Sequence, residues 1–308
     1  MARPLQQIGA LLALTVLASA AQSAAVYALG STGSTLNTTL VRFDSAAPGA
    51  VTTVGAIGGA TTQLDGIDFR PADGALYGYN SATGGIYRVD TATGATTLVS
   101  TSTTVIGRTA VGIDFNPAAD RLRVVSAADN NLRINVATGA TLVDGTLAYA
   151  AGDANFGTNP NIIEAAYTHN DNNPATGTAL YYIDDLLNVL VTTTAPNGGA
   201  LNTVGALGLD VDEFLGFDIF TDAGGVNSAF ASLRVAGAQG LYAINLASGA
   251  ATLIGAIGMG GMGGMDRLHG LAVATVPEPG TMVLTATAGL ALVGLRRRKG
   301  QLPKVLAA

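Results

Sequence analysis

The chain has no cysteine and no tryptophan, and its two lysines, Lys299 and Lys304, stand close to the C-terminus. Without cysteine, no disulfide framework can stabilise the fold and no thiol can act as a nucleophile or a metal ligand. Stability must come from packing, and 308 residues are enough to bury a substantial core. Amphipathic helical periodicity is also missing between the two terminal segments, so the pattern there does not favour helices.

Basic residues are scarce in residues 26–275, which contain nine arginines and twenty carboxylates. The net charge of this region is −11. A surface this acidic repels phosphate groups, so we expect no nucleic acid partner and no attraction to anionic lipid. Divalent cations and neutral sugars remain open as ligands.

The first 25 residues have the layout of a secretory signal peptide. Arg3 gives a positive start, residues 8–17 form an apolar stretch, and Ala18-Ser-Ala20 is a small-residue cleavage site. Cleavage within residues 21–25 is the alternative. We therefore expect the protein to be exported.

A second targeting signal is expected at the other end of the chain, in residues 276–300. Val276-Pro-Glu-Pro-Gly-Thr281 is stiff and extended, because each proline fixes φ and disfavours helix at the residue before it. The apolar run over residues 282–295 can enter a bilayer as a helix, although it is shorter than the usual span of ~17–25 residues. A basic cluster then stops the membrane segment and would stay on the cytoplasmic side. Its members are Arg296, Arg297, Arg298 and Lys299.

Together these three parts resemble the PEP-CTERM sorting signal, with Pro277, Glu278 and Pro279 as its motif. The resemblance implies a membrane peptidase of the exosortase type as a partner, in a Gram-negative bacterium that makes exopolysaccharide. It also implies passage through the inner membrane to the cell surface or the extracellular space. An ordinary C-terminal membrane anchor is the alternative, and residues 301–308 form a short tail in either case.

The region between these two targeting signals consists of repeats. One motif occurs three times: it reads Gly66-Ile-Asp-Phe-Arg-Pro71, then Gly112-Ile-Asp-Phe-Asn-Pro117 and, more loosely, Gly216-Phe-Asp-Ile219. We assign Ala166-Tyr-Thr-His169 to the repeat between the last two copies. Further short segments follow each copy and alternate apolar with polar residues, which is typical of strands. The period is 46 to 54 residues. Four short antiparallel strands at this period predict the blade of a β-propeller.

The ends of the repeat region indicate the number of blades. The N-terminal unit lacks the leading strand, and His269-Gly-Leu-Ala-Val273 is such a strand with no further strand after it. We therefore predict an all-β fold over residues 26–275, a β-propeller of five four-stranded blades closed by a C-terminal strand that joins the N-terminal blade. A β-solenoid is the alternative, but solenoids need caps rather than a split unit.

The repeat region also resembles a bacterial domain family of unknown function. The resemblance rests on residues 111–126 and on the segments Asn131-Leu-Arg-Ile-Asn135, Ala195-Pro-Asn-Gly198 and Leu241-Tyr-Ala-Ile-Asn245. It implies an extracellular, propeller-like domain and brings no catalytic residues with it.

Candidate functional residues are few. No Gly-x-Ser-x-Gly nucleophile motif accompanies His169 or His269, so we expect no catalytic residue. Neither histidine has a second potential ligand at the sequence spacing of a metal site, so we expect no histidine metal site. The leading strands, however, carry a carboxylate at one shared position in three of the five repeats. The position holds Asp68, Asp114, Thr168, Asp218 and Ala272.

Propeller symmetry brings these positions together around the axis if the leading strand is innermost. Three like charges there repel one another unless a cation or hydrogen bonds compensate them. Calcium takes six to eight oxygen ligands, so Asp68, Asp114 and Asp218 are candidate ligands for it. The alternative, which we favour, is that each aspartate accepts backbone N–H bonds from the following turn of its own blade. No cofactor is then expected.

Two functions fit these features. The first is a non-enzymatic exported module of the exopolysaccharide or biofilm matrix, which binds polysaccharide or adds bulk structure and is held by its C-terminal membrane segment or released. The second is a calcium-dependent propeller hydrolase of the lactonase type, with the ion as Lewis acid beside a general base. The sorting tail and the acidic, lysine-free surface favour the first, although fold alone cannot decide.

Overall fold

The structure is a computed structural model that describes residues 23–32, 35–107, 109–171, 173, 175–258 and 265–274. Residues 1–22 of the expected signal peptide, and the expected sorting segment from residue 276 on, lie outside the described residues. All regular structure in the described ranges is β-strand. No helix there is long and apolar enough to cross a membrane.

The described strands form five sheets, and each sheet contains four strands that pair antiparallel. Two two-residue bridges, β4 and β13, add a short parallel pair to two of the sheets. The strands are, in chain order, β1 (Ala25–Thr32), β2 (Thr35–Asp44), β3 (Ala47–Ala56), β4 (Gly58–Gly59), β5 (Gly66–Phe69), β6 (Leu76–Asn80), β7 (Gly85–Val89), β8 (Ala95–Thr101), β9 (Val111–Asn116), β10 (Arg121–Ser126), β11 (Asn131–Ile134), β12 (Thr141–Val143), β13 (Ala148–Tyr149), β14 (Ile162–Tyr167), β15 (Leu180–Asp184), β16 (Val189–Ala195), β17 (Ala200–Ala206), β18 (Glu213–Thr221), β19 (Asn227–Val235), β20 (Ala238–Ile244), β21 (Ala251–Ala256) and β22 (Arg267–Val273).

Each sheet is one blade of a five-bladed β-propeller. Blade 2 runs from β5 to β8, blade 3 from β9 to β12, blade 4 from β14 to β17 and blade 5 from β18 to β21. Blade 1 takes its inner strand from the C-terminal end of the repeat region and has the order β22-β1-β2-β3. Val26 pairs with Val273 and Tyr27 with Ala272 across the seam. The prediction of five blades closed by the C-terminal strand is therefore confirmed.

The strand that leads each repeat is the innermost one. β5, β9, β14, β18 and β22 contact one another in turn around the axis. Five apolar cores lie between neighbouring blades, so each junction has its own buried cluster. Inner-strand residues such as Ile67, Phe115 and Ile219 belong to these clusters. Packing between blades thus replaces the single central core of a sandwich.

In blades 2 to 5, the turn before the outermost strand packs against the preceding blade. In blade 3 the turn glycine, Gly139, has a φ of 73°, and a Cβ on it would lie 1.9 Å from the carbonyl oxygen of Thr101 in blade 2. Gly249 has a φ of 82°, and its Cβ would lie 2.3 Å from the oxygen of Gly205 in blade 4. Only glycine tolerates both the left-handed backbone and this close approach. We call these contacts the rim latches, and their glycines are Gly94, Gly139, Gly199 and Gly249.

Candidate functional site at the propeller axis

The three predicted aspartates come together at the axis. Asp68 lies in β5, Asp114 in β9 and Asp218 in β18, and one carboxylate oxygen of each lies within 4.8 Å of the others. Their exposed fractions are only 6%, 5% and 2%. Buried carboxylates this close need compensation from hydrogen bonds, protons or a cation.

Asp68 is held by two backbone N–H groups from two different blades. One oxygen accepts the N–H of Phe69, the next residue of its own strand, at 2.7 Å. The other oxygen accepts the N–H of Phe115 in blade 3, also at 2.7 Å. Asp68 therefore joins blade 2 to blade 3.

The other two aspartates make the same kind of bond. Asp218 accepts the N–H of Ile219 in its own strand and that of Val273 across the seam, each at 2.6 Å. Asp114 accepts the N–H of Tyr167 in blade 4. The expected tie to the following turn of the same blade is thus wrong in its partner, because one oxygen of each carboxylate bonds to the next blade.

The five N–H groups that these bonds satisfy occupy equivalent places in the five inner strands. Each lies on the axial edge of its blade, where no further strand pairs with it, and a buried N–H without a partner is costly. With one donor to each carboxylate oxygen, three carboxylates are the fewest that can accept from five donors. The remaining two positions therefore need no carboxylate. We call Asp68, Asp114, Asp218 and these five N–H groups the axial hub.

The hydrogen bonds also correct the assignment in blade 4. Tyr167 donates to Asp114 as Phe115 donates to Asp68, so the residue before Tyr167 occupies the shared position. That residue is Ala166, and not Thr168 as the sequence predicts. A shift by two residues keeps every side chain on the same face of the strand, so alternation alone could not detect it.

Protonation of the hub follows from its burial. Burial raises the pKa of Asp68 and of Asp114 well above the usual range, and repulsion from the neighbouring carboxylates raises both further. Burial also raises the pKa of Asp218, to about 7, against the opposing effect of its two N–H bonds. The hub consequently retains protons near neutral pH.

Glu164 is a fourth carboxylate near the axis that the sequence reasoning missed. It lies in β14 and accepts the backbone N–H of Phe217 in blade 5, and burial raises its pKa well above the usual range. The inner strands approach closely here, since a Cβ on Gly112 would lie 2.4 Å from the Cα of Glu164. The signal was a glutamate two residues before the shared position, where Gly66 and Gly112 stand in the other repeats.

The hub fits a calcium ion only in part. Its three aspartates can offer three ligand oxygens, but calcium takes six to eight. Both oxygens of Asp68 and both of Asp218 already accept N–H bonds. Most of the coordination shell would then have to come from water or from a ligand. When bound, calcium would supply Lewis-acid polarisation of an oxygen, and the three aspartates would hold it.

His169 is held by hydrogen bonds between two blades. Its Nε2 lies 3.3 Å from the side-chain nitrogen of Asn227, whose oxygen accepts the N–H of His169 and the hydroxyl of Thr221. Its Nδ1 lies 3.1 Å from the Thr168 hydroxyl. This arrangement joins blade 4 to blade 5.

A buried ionic network joins blade 3 to blade 4, and the sequence reasoning missed it. Arg123 is 1% exposed and donates to Asp144 at 2.7 Å, to Asn131 at 2.6 Å and to Asn197 at 3.0 Å. It also donates to the hydroxyl of Tyr167 at 3.2 Å. Asn131 and Asn197 belong to segments that carry the family resemblance. Those segments therefore support a blade junction.

A cavity of about 1170 Å³ opens beside the ends of the inner strands. We call it the mouth. Blades 1, 2, 4 and 5 contribute to its wall, which is formed mainly by small apolar residues, threonines and two largely buried phenylalanines. Ser23 and Ala274, close to the two ends of the described propeller, both lie in this wall. Its charged members are Arg42, Asp44, Asp171 and Asp222.

Residues 39–272 match a family described as a domain of unknown function (DUF4394). The chain belongs to this family. The match covers most of the propeller, and it confirms the resemblance to a domain family of unknown function. No curated protein matches the chain.

Several solved structures are similar to this chain at low sequence identity. One is a structural genomics protein of unknown function from Bacteroides thetaiotaomicron VPI-5482, with 15% identity and a TM-score of 0.44, covering 73% of this chain and 62% of that one. Another is a protein from Bacteroides uniformis ATCC 8492 provisionally called a 6-phosphogluconolactonase, with 14% identity, a TM-score of 0.42 and coverage of 78% and 84%. The chain spans less than two thirds of the first of these. Such similarities carry no argument about activity or ligand.

Proposed function

We propose that this protein is an exported, non-enzymatic module of the exopolysaccharide or biofilm matrix, which binds polysaccharide or adds bulk structure. The observation that supports this proposal is the axial hub. Its carboxylates are the residues that propeller symmetry gathers at the axis, and they bond to backbone N–H groups of neighbouring blades. Their role is then to close the ring.

Export and sorting form the second part of the proposal. Residues 1–25 would direct secretion, and the motif Pro277-Glu-Pro279 would be recognised by an exosortase-type peptidase at the inner membrane. The basic cluster, residues 296–299, would stop the membrane segment. The mature protein would remain at the cell surface or be released into the matrix.

A calcium-dependent hydrolase of the lactonase type is the second candidate. The observation that favours it is the approach of three carboxylates to within 4.8 Å of one another. In that case Asp68, Asp114 and Asp218 would hold the ion, and Glu164, a further carboxylate near the axis, could serve as a base. The two candidates differ in whether calcium binds the hub.

Thermal unfolding of the mature protein in chelator and in excess calcium separates the two candidates. A ligand at a hundredfold excess over its dissociation constant adds about 2.7 kcal/mol. For a domain of this size the midpoint would rise by roughly 5–10 °C. We expect no such rise. A rise that Asp218→Asn abolishes would instead establish a calcium site at the hub and favour the hydrolase.

The matrix role has a separate test. Cells that carry the wild-type protein, or the Pro277→Ala/Pro279→Ala variant, are fractionated into membrane, surface and medium. We expect the variant to accumulate in the inner membrane and the wild type to co-sediment with the exopolysaccharide of its own producer. Equal distribution of the two proteins would contradict the sorting role, and wild-type protein that stays soluble beside the polysaccharide would contradict binding to it.

A further inference from the structure

The outermost strands of the five blades carry no charge. No aspartate, glutamate, lysine or arginine occurs in β3, β8, β12, β17 or β21. An uncharged strand at the edge of a sheet tends to pair with another chain, and proteins prevent this with charge, proline, a bulge or a covering segment. Protection of this rim therefore has to come from a device other than charge.

Four of the five outermost strands have such a device, and β12 is the exception. In β3, β8, β17 and β21 one extra residue interrupts the ladder, and a bulge of this kind twists the edge away from a second strand. β4 and β13 also cover part of the edges of β8 and β17. β12 pairs with β11 in regular register, and no strand of the described residues lies beyond it.

Exposed apolar side chains are concentrated at the rim of blades 2 and 3. The two blades meet there, since the hydroxyl of Ser102, just after β8, lies 2.7 Å from that of Thr141 in β12. In β12 itself, Leu142 and Val143 are 59% and 67% exposed. We define the rim patch as five of the nine large apolar side chains that are exposed in the described structure: Leu98, Val99, Val105, Leu142 and Val143.

The backbone of β12 alternates between its partner strand and the outside. The N–H of Asp144 donates to the carbonyl of Asn131, at the end of the ladder with β11. Every second residue of an antiparallel edge strand bonds to its partner in this way. Residues 142 and 144 therefore face β11, and residues 141, 143 and 145 direct their N–H and carbonyl groups outward.

The chain itself satisfies the outward N–H groups on both sides of Val143. The N–H of Thr141 donates to the hydroxyl of Thr103 at 3.1 Å, and that of Gly145 donates to the carbonyl of Asn197 at 3.0 Å. Among the described residues, no group takes the corresponding place at Val143. One donor and one acceptor thus remain open at the centre of an apolar edge.

We propose that the rim patch is the contact surface between two copies of this chain, with Val143 of each copy facing Val143 of the other across a two-fold axis. The two valines then exchange two N–H···O bonds, as the hydrogen-bonded pairs of an antiparallel sheet do. The same patch is used on both copies, so the contact closes as a dimer. This dimer does not depend on the function proposed above.

Charge favours a second copy as the occupant of the rim patch. Residues 26–275 have a net charge of −11, so two copies repel each other over most of their surface. Residues 95–107 and 134–143, which contain the patch, have no charged side chain. Apolar area is buried there without bringing like charges together. A basic partner would instead be attracted to the carboxylates elsewhere on the surface.

Leu253 supplies a matched control for a test by sedimentation velocity. Ala251-Thr-Leu253 in β21 repeats Ala140-Thr-Leu142, and Leu253 is 56% exposed, but β21 has the bulge that β12 lacks. We expect the full-length chain in mild detergent to convert from monomer to dimer as its concentration rises. Leu142→Lys should raise the dissociation constant about tenfold or more, whereas Leu253→Lys should change it less than about twofold. Monomer at every concentration, or equal effects of the two substitutions, would overturn the proposal.

The absence of cysteine allows a second test that a folding defect cannot mimic. Hydrogen-bonded pairs of antiparallel strands have Cα atoms about 5.5 Å apart, which is within the range of a disulfide. In mild oxidant, Val143→Cys should therefore form a disulfide between two copies about tenfold faster than the exposed control Leu253→Cys. Both variants should melt at the wild-type temperature. Equal rates of disulfide formation would reveal random collision only and would contradict the pairing.

Discussion

Neighbouring blades are joined by buried carboxyl groups at the axis and by glycine backbone at the rim. At the axis, Asp68 and Asp218 each bridge to the next blade with a carboxylate oxygen. At the rim, Gly139 and Gly249 bring a left-handed turn against a backbone oxygen of the preceding blade. The hub is shared by all five blades, whereas each latch belongs to one junction. Damage at the axis should therefore loosen the whole ring, and damage at the rim should loosen one junction.

The seam between blade 5 and blade 1 contains both kinds of contact, a carboxylate bond at the axis and a close glycine approach at the rim. Asp218 accepts the N–H of Val273, which belongs to the closing strand. At the rim, a Cβ on Gly258 would lie 2.0 Å from the oxygen of Gly49, and the N–H of Gly258 bonds to the carbonyl of Pro48 at 3.2 Å. Here the glycine with the close approach follows β21 of blade 5, and Pro48 and Gly49 lie at the start of β3 in blade 1. The seam thus follows the same scheme as the continuous junctions, which accounts for closure without a disulfide.

The largest predicted effect is at the hub. Asp218→Ala leaves two buried N–H groups without a partner, and Asp114→Ala leaves one. Each unsatisfied donor costs about 1–3 kcal/mol, so we expect losses of about 2–6 kcal/mol and about 1–3 kcal/mol in the free energy of unfolding. Chemical denaturation at pH 5.5 in chelator measures both. Equal losses would contradict the assignment of two donors to Asp218.

The rim latches should give the next largest effect. Gly139→Ala places a Cβ against the carbonyl of Thr101, in addition to the cost of a left-handed alanine. Gly237→Ala is the matched control, because Gly237 has a φ of 76° and open space around its Cβ position. The backbone costs roughly 1–2 kcal/mol in both, and the clash adds about 1–3 kcal/mol in Gly139→Ala alone. Equal denaturation midpoints for the two variants would show that the close contact of Gly139 with Thr101 does not contribute to stability.

The sequence predicts the repeat of the blades much better than it predicts contacts between them. Strand alternation and the returning Gly-Ile-Asp-Phe motif define five blades and bring Asp68, Asp114 and Asp218 to one axis. The sequence places Thr168 at the shared position because the motif fades in blade 4, where Glu164 replaces glycine. A two-residue shift keeps the strand pattern intact, so only the hydrogen bonds reveal it.

Partners across blade junctions could not be read from the sequence, because they join residues of different repeats. The hydrogen bond from Phe115 to Asp68 spans 47 positions, and that from Arg123 to Asn197 spans 74. No local pattern distinguishes such a bond from a tie within one blade. The number of carboxylates becomes interpretable only once five axial donors are counted.

The pH dependence of stability should separate the axis from the rim. The folded hub holds protons that the unfolded chain releases, so the free energy of unfolding should fall as pH rises from about 4 through the raised pKa of about 7 at Asp218. His269 acts in the opposite sense, since burial lowers its pKa. The comparison with Asp218→Asn isolates the hub, and that variant should show a flatter profile between pH 5 and 8 in chelator. Gly139→Ala should keep the wild-type slope, and loss of the slope in that variant would contradict the separation.

The smallest predicted effect comes from adding a carboxylate where the hub has none. Ala166→Asp introduces a fourth aspartate after all five axial donors are satisfied, so at pH 8 it adds like charge without satisfying a further donor. Ala166→Asn has nearly the same size without the charge and reports the cost of packing alone. We expect the aspartate variant to be the less stable of the two at pH 8, and the difference to vanish at pH 5, where the added group is protonated. If calcium instead stabilised Ala166→Asp above the wild type, the new carboxylate would be completing a coordination shell. The hub would then be a cation site that lacks ligands rather than a complete set of hydrogen bonds.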